Sequence, residues 1–291
     1  MSGQSTAAAG PRKVCVIGWP VKHSRSPLIH NTWLERHGID GEYTKFAVEP
    51  AELVDTLRYL PTLGFRGANV TVPHKKAAFE ALSPFVDPPA ERLQAVNTIY
   101  RDPDTGDMRG TNTDGTGFLI HLNQSVPGFH GKTAVVLGAG GAARAIVDAL
   151  EKEAGMSVRL VNRTVARAAA MVADIDLKAT VYGWDNLEQA LTGADLVVNT
   201  TSLGMAGQPP LDIDLAPLPD TAVVYDIVYA PLETDLLKQA RARGLATVDG
   251  LGMLLWQAAP GFEKWFGQKI DAEDVAAART VVEADLMKET N

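Results

Sequence analysis

"VVLGAGGAAR", residues 135–144, is the stretch whose reading decides the fold. It continues an apolar, β-branched run, Thr-Ala-Val-Val-Leu at 133–137, that reads as a buried strand. It then opens an Ala-rich segment with the composition of a helix. Gly138, Gly140 and Ala143 fit G-x-G-x-x-[G/A] in its strand–turn–helix context. The first glycine allows a tight turn, and the second lets the backbone approach a pyrophosphate. The small third residue lets helix and strand pack closely. Amides at the helix N-terminus then hold the anion. The motif predicts a dinucleotide site at the edge of a parallel sheet.

The next strand selects the cofactor. An NAD-type site expects an acidic residue about 20 residues on, to hold the ribose 2′-OH. Here the strand at 157–161 ends in "NRTVAR". Asn162, Arg163 and Thr164 stand where that acid belongs, and Arg167 lies one helical turn beyond. Guanidinium groups bind phosphate in a bidentate way. Each charge-assisted hydrogen bond contributes about 1.5–3 kcal/mol, less where solvent reaches it. This favours NADP over NAD. A solvated helix residue is the bland alternative for Arg167, and a weaker one for Arg163 at the strand end. "NTTSLGM", 199–205, follows another strand and reads equally well as a self-capped loop or a cofactor contact.

Outward from the fingerprint, strands and helices alternate. Further strands are expected at 179–182, 195–199, 222–227 and 245–248, and two helical stretches close the chain. On the N-terminal side, strands are expected at 13–18, 42–48 and 68–72, and a strand pair at 95–101 and 108–113. "SRSPLIHNTWLERHG" reads as a helix with Ser26 as N-cap, Pro27 at its first position and Gly38 closing it. "PAELVDTLRYLPTLG" reads as another helix, Pro73 as the first residue of a third, and 115–123 as a short fourth. The pattern predicts an α/β protein of two domains, the second a Rossmann-type, doubly wound parallel sheet. The divisions are a flexible tail over 1–12, a substrate-binding α/β domain over 13–114, an NADP-binding domain over 115–250 and C-terminal helices over 251–291.

Composition narrows the partners. A net charge of −8 argues against nonspecific nucleic-acid binding and against anionic membranes, while leaving room for a local basic pocket. The single cysteine, Cys15, excludes a disulfide within the chain, fits a reducing compartment and reads as a small buried hydrophobe. The six histidines show no metal-type spacing, so no metal is expected. The N-terminal "MSGQSTAAAGPRK" has no apolar core like that of a signal peptide, and no run approaches the roughly 20 apolar residues of a membrane span. A cytoplasmic protein is expected.

"NVTVPHKK", 69–76, puts two cations at a helix start, where the macrodipole disfavours them. Lys76 has Glu80 at i+4, a surface ion pair worth a few tenths of a kcal/mol. Lys75 has Phe79 there and no local charge partner, so it faces the apolar side of its helix and points inward. That suits a residue handling a proton in a cleft. "HSRSP", "AVNT" and "NTDGTGF" also fall at strand ends. Each has a bland reading: Ser26 as a cap, Asp114 as a cap or Asp-Gly turn, His74 as a surface residue.

"GWPVKHSRSP", "GANVTVPHK", "AVNT", "NTDG", "GAGGAAR", "NRT" and "DGLGMLLWQA" occur in this order over about residues 13 to 270. Together they resemble the shikimate dehydrogenase family. The resemblance implies NADPH-dependent reduction of 3-dehydroshikimate to shikimate, in the route to aromatic amino acids. It implies an active site between two α/β domains, with the C-terminal helices returning to the first. It makes Lys75 the catalytic lysine and Asp114 its acidic partner. Ser24 and Ser26 are to bind the substrate carboxylate, with Tyr229 approaching it, and Thr71, Asn97 and Gln257 the ring hydroxyls. Gly138, Ala139, Gly140, Gly141 and Ala142 are to hold the pyrophosphate, and Asn162, Arg163, Thr164 and Arg167 the adenosine phosphate. Ile227, Gly250 and Met253 are to lie near the nicotinamide.

Two rival readings are weighed against this. A quinate/shikimate dehydrogenase of the same superfamily, broader in substrate and often NAD-dependent, fits poorly with the arginines of "NRTVAR" and both serines of "SRSP". A noncatalytic NADP-binding sensor keeps a glycine loop without Lys75 and Asp114 beside a hydroxyl-binding set. A monomer and a homodimer fit the sequence equally.

Overall fold

The computed structural model describes residues 12–290. Of the expected tail, 1–12, all but Arg12 lies outside the described residues. Arg12 instead opens β1 (Arg12–Gly18), where it pairs with Gly41 and its guanidinium donates to Phe266 O at 3.1 Å. α1 (Ser26–Arg36), β2 (Gly41–Ala47), α2 (Leu53–Tyr59), β3 (Phe65–Val70), α3 (Lys75–Leu82), α4 (Pro88–Leu93), β4 (Thr98–Arg101) and β5 (Met108–Thr111) follow. Their strands form one sheet in the order β2-β1-β3-β4-β5. The first three are parallel, and β4 and β5 join antiparallel.

α5 (Asp114–Ser125) leads to the second sheet. β6 (Thr133–Leu137), α6 (Gly141–Asp148), β7 (Ser157–Val161), α7 (Val165–Asp174), β8 (Thr180–Tyr182), α8 (Leu187–Leu191), β9 (Leu196–Asn199), β10 (Val223–Asp226), α9 (Asp235–Ala242) and β11 (Ala246–Val248) follow in turn. The order β11-β10-β9-β6-β7-β8 is parallel throughout. Strand order reverses between β6 and β9, and the crevice at such a switch point is where open α/β sheets bind ligands. The glycine loop leaves β6 at this point.

α10 (Leu251–Phe266) and α11 (Ala272–Thr290) close the chain; α10 packs onto β3 and β4 of the first sheet, and α11 onto α1 and α10. Trp265 donates its indole N–H to Ile99 O in β4 at 2.8 Å, and Trp33 in α1 donates to Asp274 O at 2.9 Å. Phe262 and Trp265 share a buried aromatic cluster with Trp33 and Tyr43, so α10 belongs to the first domain's core although it follows the second. Cys15 is fully buried in β1, and burial pushes its thiol up.

Local details depart from the sequence expectations. β3 stops at Val70, not 72: His74 N–H bonds Thr71 O at 2.9 Å and turns the chain, so Pro73 lies in the turn ahead of α3 instead of starting it. His74 is buried, with Nε2 2.8 Å from Val48 O, and is no surface residue. Ser26 is not the N-cap of α1. Arg25 holds that position, Ser26 begins the helix, and the Ser26 hydroxyl meets that of Ser24 at 3.2 Å. α4 was not expected, since its Pro-Pro start reads as a break, yet two prolines fit the first helical turn, where backbone N–H groups have no partner. Lys76 and Glu80 are both exposed and form no ion pair among the described residues. In water such a pair gains too little to hold two long side chains together.

Candidate active site

A cleft of about 360 Å³ opens between the two sheets. Lys75 enters it from the first turn of α3, and Asp114 from the first residue of α5. Lys75 Nζ lies 2.5 Å from Asp114 Oδ2. The carboxylate is at a helix N-terminus, where the macrodipole favours it, and it compensates a cation that its own helix start disfavours. The Lys75 carbonyl accepts from Val96 N–H at 2.9 Å, which fixes α3 against the segment carrying Asn97.

Asn97 organises the floor. Its amide N–H donors reach Asp114 Oδ1 at 2.7 Å and Thr113 Oγ1 at 3.0 Å, with Gln257 Oε1 at 3.4 Å. Its carbonyl accepts from Thr98 Oγ1 at 2.9 Å and from Thr113 N–H at 3.0 Å. Asp114 thus has one oxygen engaged by an amide and the other by the ammonium. Asp114 is buried and Lys75 half-buried, so their attraction is screened far less than that of a surface pair. Removing one partner of a buried pair costs about 3–5 kcal/mol.

Ser24, Ser26 and Thr71 line the same cleft from the first sheet's side, Gln257 from α10, and Tyr229 from the segment after β10. Ile227, Gly250 and Met253 complete the side next to the second sheet. The buried Asp226 steadies that side: it accepts from Asn199 Nδ2 at 2.9 Å, from Val228 N–H at 3.0 Å and from Thr234 Oγ1 at 2.7 Å. Desolvation raises its pKa despite these donors.

The predicted cofactor residues gather at the carboxyl edge of the second sheet. Gly138, at φ +102°, needs glycine, because a Cβ there would sit 2.9 Å from Thr201 Cγ2. Ala139 is buried beneath the loop. Gly140 and Gly141 are different: a Cβ on either meets nothing within 4 Å, and neither has positive φ. The chain's own packing does not demand glycine there, whereas close approach of a phosphate does. With Ala142 they put the free amides of the α6 N-terminus at that open space.

The Asn162 side chain donates to Thr164 O at 2.8 Å. Arg163, Thr164 and Arg167 are exposed, and their side chains have no partner among the described residues. Unpaired cations beside an open glycine loop fit a phosphorylated dinucleotide. The "NTTSLGM" loop is satisfied internally, with Thr201 bonding Asn199 Oδ1 through both N–H (3.0 Å) and Oγ1 (2.7 Å). Among the described residues, no cluster of His, Cys, Asp and Glu has the arrangement of a metal site.

Asn69 of the cleft wall, and Tyr43 and Thr113, which brace it from behind, have no role in the sequence reading. Asn69 lies in the cleft wall, accepting from Tyr43 OH at 2.5 Å and donating to Asn97 O at 3.2 Å. Tyr43 carried no signal beyond strand alternation, and Asn69 stood in a quoted motif without a role. Thr113 reads as the last residue of the strand expected at 108–113.

Comparison with known proteins places both the sequence and the fold. Residues 16–99 match the shikimate dehydrogenase substrate binding domain, 121–205 the shikimate/quinate 5-dehydrogenase model and 250–278 the shikimate 5'-dehydrogenase C-terminal domain. The chain is 55% identical to a shikimate dehydrogenase (NADP(+)) of Methylobacterium radiotolerans, over 90% of this chain and 94% of that one. It is 51% identical to one from Paramagnetospirillum magneticum, over 94% and 97%. The crystal structure of a Thermus thermophilus shikimate 5-dehydrogenase with NADP(H) and shikimate superposes with a TM-score of 0.81 at 36% identity, over 93% of this chain and 99% of that one. A quinate dehydrogenase of Corynebacterium glutamicum in complex with NAD superposes at 0.85 with 30% identity, over 94% and 99%. On sequence and structure alike, the chain belongs to the shikimate dehydrogenase family.

Proposed function

We infer that the chain catalyses the reversible, NADPH-dependent reduction of 3-dehydroshikimate to shikimate, a step toward chorismate and the aromatic amino acids. The observation that carries this reading is the Lys75–Asp114 pair, 2.5 Å apart in a cleft walled by hydroxyl and amide groups. Residues 13–114 form the substrate domain, 115–250 the cofactor domain, and 251–291 return to the first. The protein acts in the cytoplasm on a small molecule, as a monomer or homodimer.

Bound NADPH supplies the hydride that reduces the C3 carbonyl of the substrate. Lys75, as ammonium, faces the oxygen on which negative charge develops, stabilises it and donates the proton that completes the hydroxyl. Asp114 holds Lys75 in place through Oδ2, while Asn97 holds Asp114 through Oδ1. Preorganised groups of this kind need not reorganise as the charge appears. Ser24 and Ser26 receive the carboxylate, with Tyr229 close by, and Thr71, Asn97 and Gln257 orient the ring hydroxyls. Gly138 to Ala142 hold the pyrophosphate, Asn162, Arg163, Thr164 and Arg167 the 2′-phosphate, and Ile227, Gly250 and Met253 bound the nicotinamide side.

The test is the decay of NADPH absorbance on adding 3-dehydroshikimate, repeated with NADH and with 3-dehydroquinate. Rapid decay in the first assay alone is expected. Equal rates in all three would move the chain to the quinate/shikimate branch, and no decay in any would leave a binding module.

A further inference from the structure

Thr113 occupies the N-cap position of α5, yet its hydroxyl does not cap that helix. A threonine there ordinarily accepts from an N–H of its own first turn. Thr113 Oγ1 instead donates to Gln257 O, on α10, at 2.7 Å, and accepts from Asn97 Nδ2 at 3.0 Å. One turn on, Gly117 lies so close to α10 that a Cβ would stand 2.4 Å from Gln257 N and 2.6 Å from its Cα. Both contacts converge on the backbone of a single residue.

We propose that Thr113 and Gly117 are positioning residues for Gln257, holding α10 so that its side chain reaches the substrate at a fixed distance from the Lys75–Asp114 pair. This rests on the reading that Gln257 binds a ring hydroxyl. α5 is a suitable reference frame, because it starts with Asp114 and its Gly115 packs against α6, where a Cβ would meet Ala145 O at 3.0 Å. One helical turn therefore ties the acid of the ion pair, the cofactor helix and the helix bearing Gln257. The Gln257 side chain is itself held back by Nε2 donating to Leu254 O at 2.9 Å, so its placement follows its backbone.

The experiment compares wild type, Thr113→Val, Thr113→Ser and Gly117→Ala. The readouts are kcat and KM for 3-dehydroshikimate, NADPH affinity by fluorescence, and hydrogen exchange over residues 254–258. Thr113→Val is expected to raise KM about tenfold, the loss of one good hydrogen bond, with a smaller fall in kcat and NADPH affinity within about twofold. Thr113→Ser restores KM to within about twofold of wild type, and Gly117→Ala raises it. In a Gln257→Ala background, Thr113→Val adds no further rise, because residues acting through one group are not additive. Unchanged KM in Thr113→Val, an equally impaired Thr113→Ser, or multiplying effects of Thr113→Val and Gln257→Ala would each overturn the proposal. Hydrogen exchange separates it from the functional reading. Exchange over 254–258 rises in Thr113→Val and Gly117→Ala, and not in Thr113→Ser, even if wild type fails to reduce 3-dehydroshikimate. No rise overturns the clamp itself.

Discussion

On one side of the cleft, Lys75, Asp114 and Asn97 already bond one another at 2.5 and 2.7 Å; on the other, the side chains of Arg163, Thr164 and Arg167 are exposed and have no partner among the described residues. The glycines show the same contrast. Gly117 is demanded by a backbone close against it, whereas Gly140 and Gly141 face open space. The Lys75 side is hydrogen-bonded together before anything binds, which suits a group that must meet developing charge. The cofactor side presents donors whose partners arrive with the ligand. Changes on the first side are therefore expected to lower rate, and changes on the second to lower affinity.

Lys75→Met tests the first half with the largest effect. It leaves Asp114 buried without its cation and removes the proposed proton donor, and a positioned acid contributes about 10²–10⁴-fold. Turnover is expected to fall by that factor while NADPH binding, followed by fluorescence, is retained. Near-normal turnover would break the comparison at its strongest point.

The converse is the pair Arg163→Gln with Arg167→Gln. Two solvent-accessible charge-assisted contacts to a phosphate together amount to about 10- to 100-fold in affinity. The NADPH-over-NADH preference in kcat/KM is expected to shrink by that factor, with kcat at saturating cofactor nearly unchanged. An unaltered preference would mean that these arginines do not read the 2′-phosphate.

The glycine loop sharpens the contrast within a single motif. Gly140→Ala puts a methyl group where a phosphate would approach, and should weaken NADPH about tenfold by displacing one charge-assisted bond. It should not destabilise the free protein, because alanine fits the backbone there, with φ −100°. Gly138→Ala must adopt φ +102° and meet Thr201, so it is expected to lower thermal stability by about 1–3 kcal/mol. Equal loss of stability in both variants would show that the whole loop is held by internal packing.

The features that sequence reveals follow the same division. The strands at 133–137 and 157–161 are legible residue for residue: β6 is an apolar run buried after Thr133, and β7 buries Val158, Leu160 and Val161 on either side of a half-buried Arg159. Lys75 stood out through the absence of a local partner, and its partner, 39 residues away, is Asp114. What was illegible is what tertiary contact overrides. Ser26 reads as a cap and Thr113 as a strand end, and both spend their hydroxyls elsewhere, on Ser24 and on Gln257 O. The return of α10 and α11 to the first domain is implied by the family resemblance alone, because it depends on Trp33, Tyr43, Phe262 and Trp265 meeting, which no local pattern encodes. The expected Lys76–Glu80 pair failed for the opposite reason: correct spacing without burial gives little energy.

The smallest expected effect belongs to neither side of the cleft. His121, on the buried face of α5, lies behind both, its Nδ1 2.7 Å from Tyr225 OH and its ring against Gly252 of α10, where a Cβ would meet Nε2 at 2.0 Å. Burial pulls its pKa down from 6.5 to about 4, Arg279 acting with burial and Asp249 against it. The unfolded chain therefore takes up this proton first on acidification, so the contribution of His121 to stability is complete above pH 6.5 and is lost as pH falls toward 4. At pH 5.5 the loss is about 1 kcal/mol, or about 2–4 °C in Tm for a chain of this size. His121→Gln removes the titrating group while keeping an acceptor for Tyr225. Between pH 7.5 and 5.5, wild-type Tm is expected to fall by about 2–4 °C more than that of the variant. His30, fully buried and pulled down to about 3 by desolvation, adds an acid sensitivity common to both proteins, so the difference isolates His121. Parallel curves would mean that the contact of α5 with β10 and α10 tolerates a charged imidazole, and the frame holding Asp114 would then be looser than the cleft it supports.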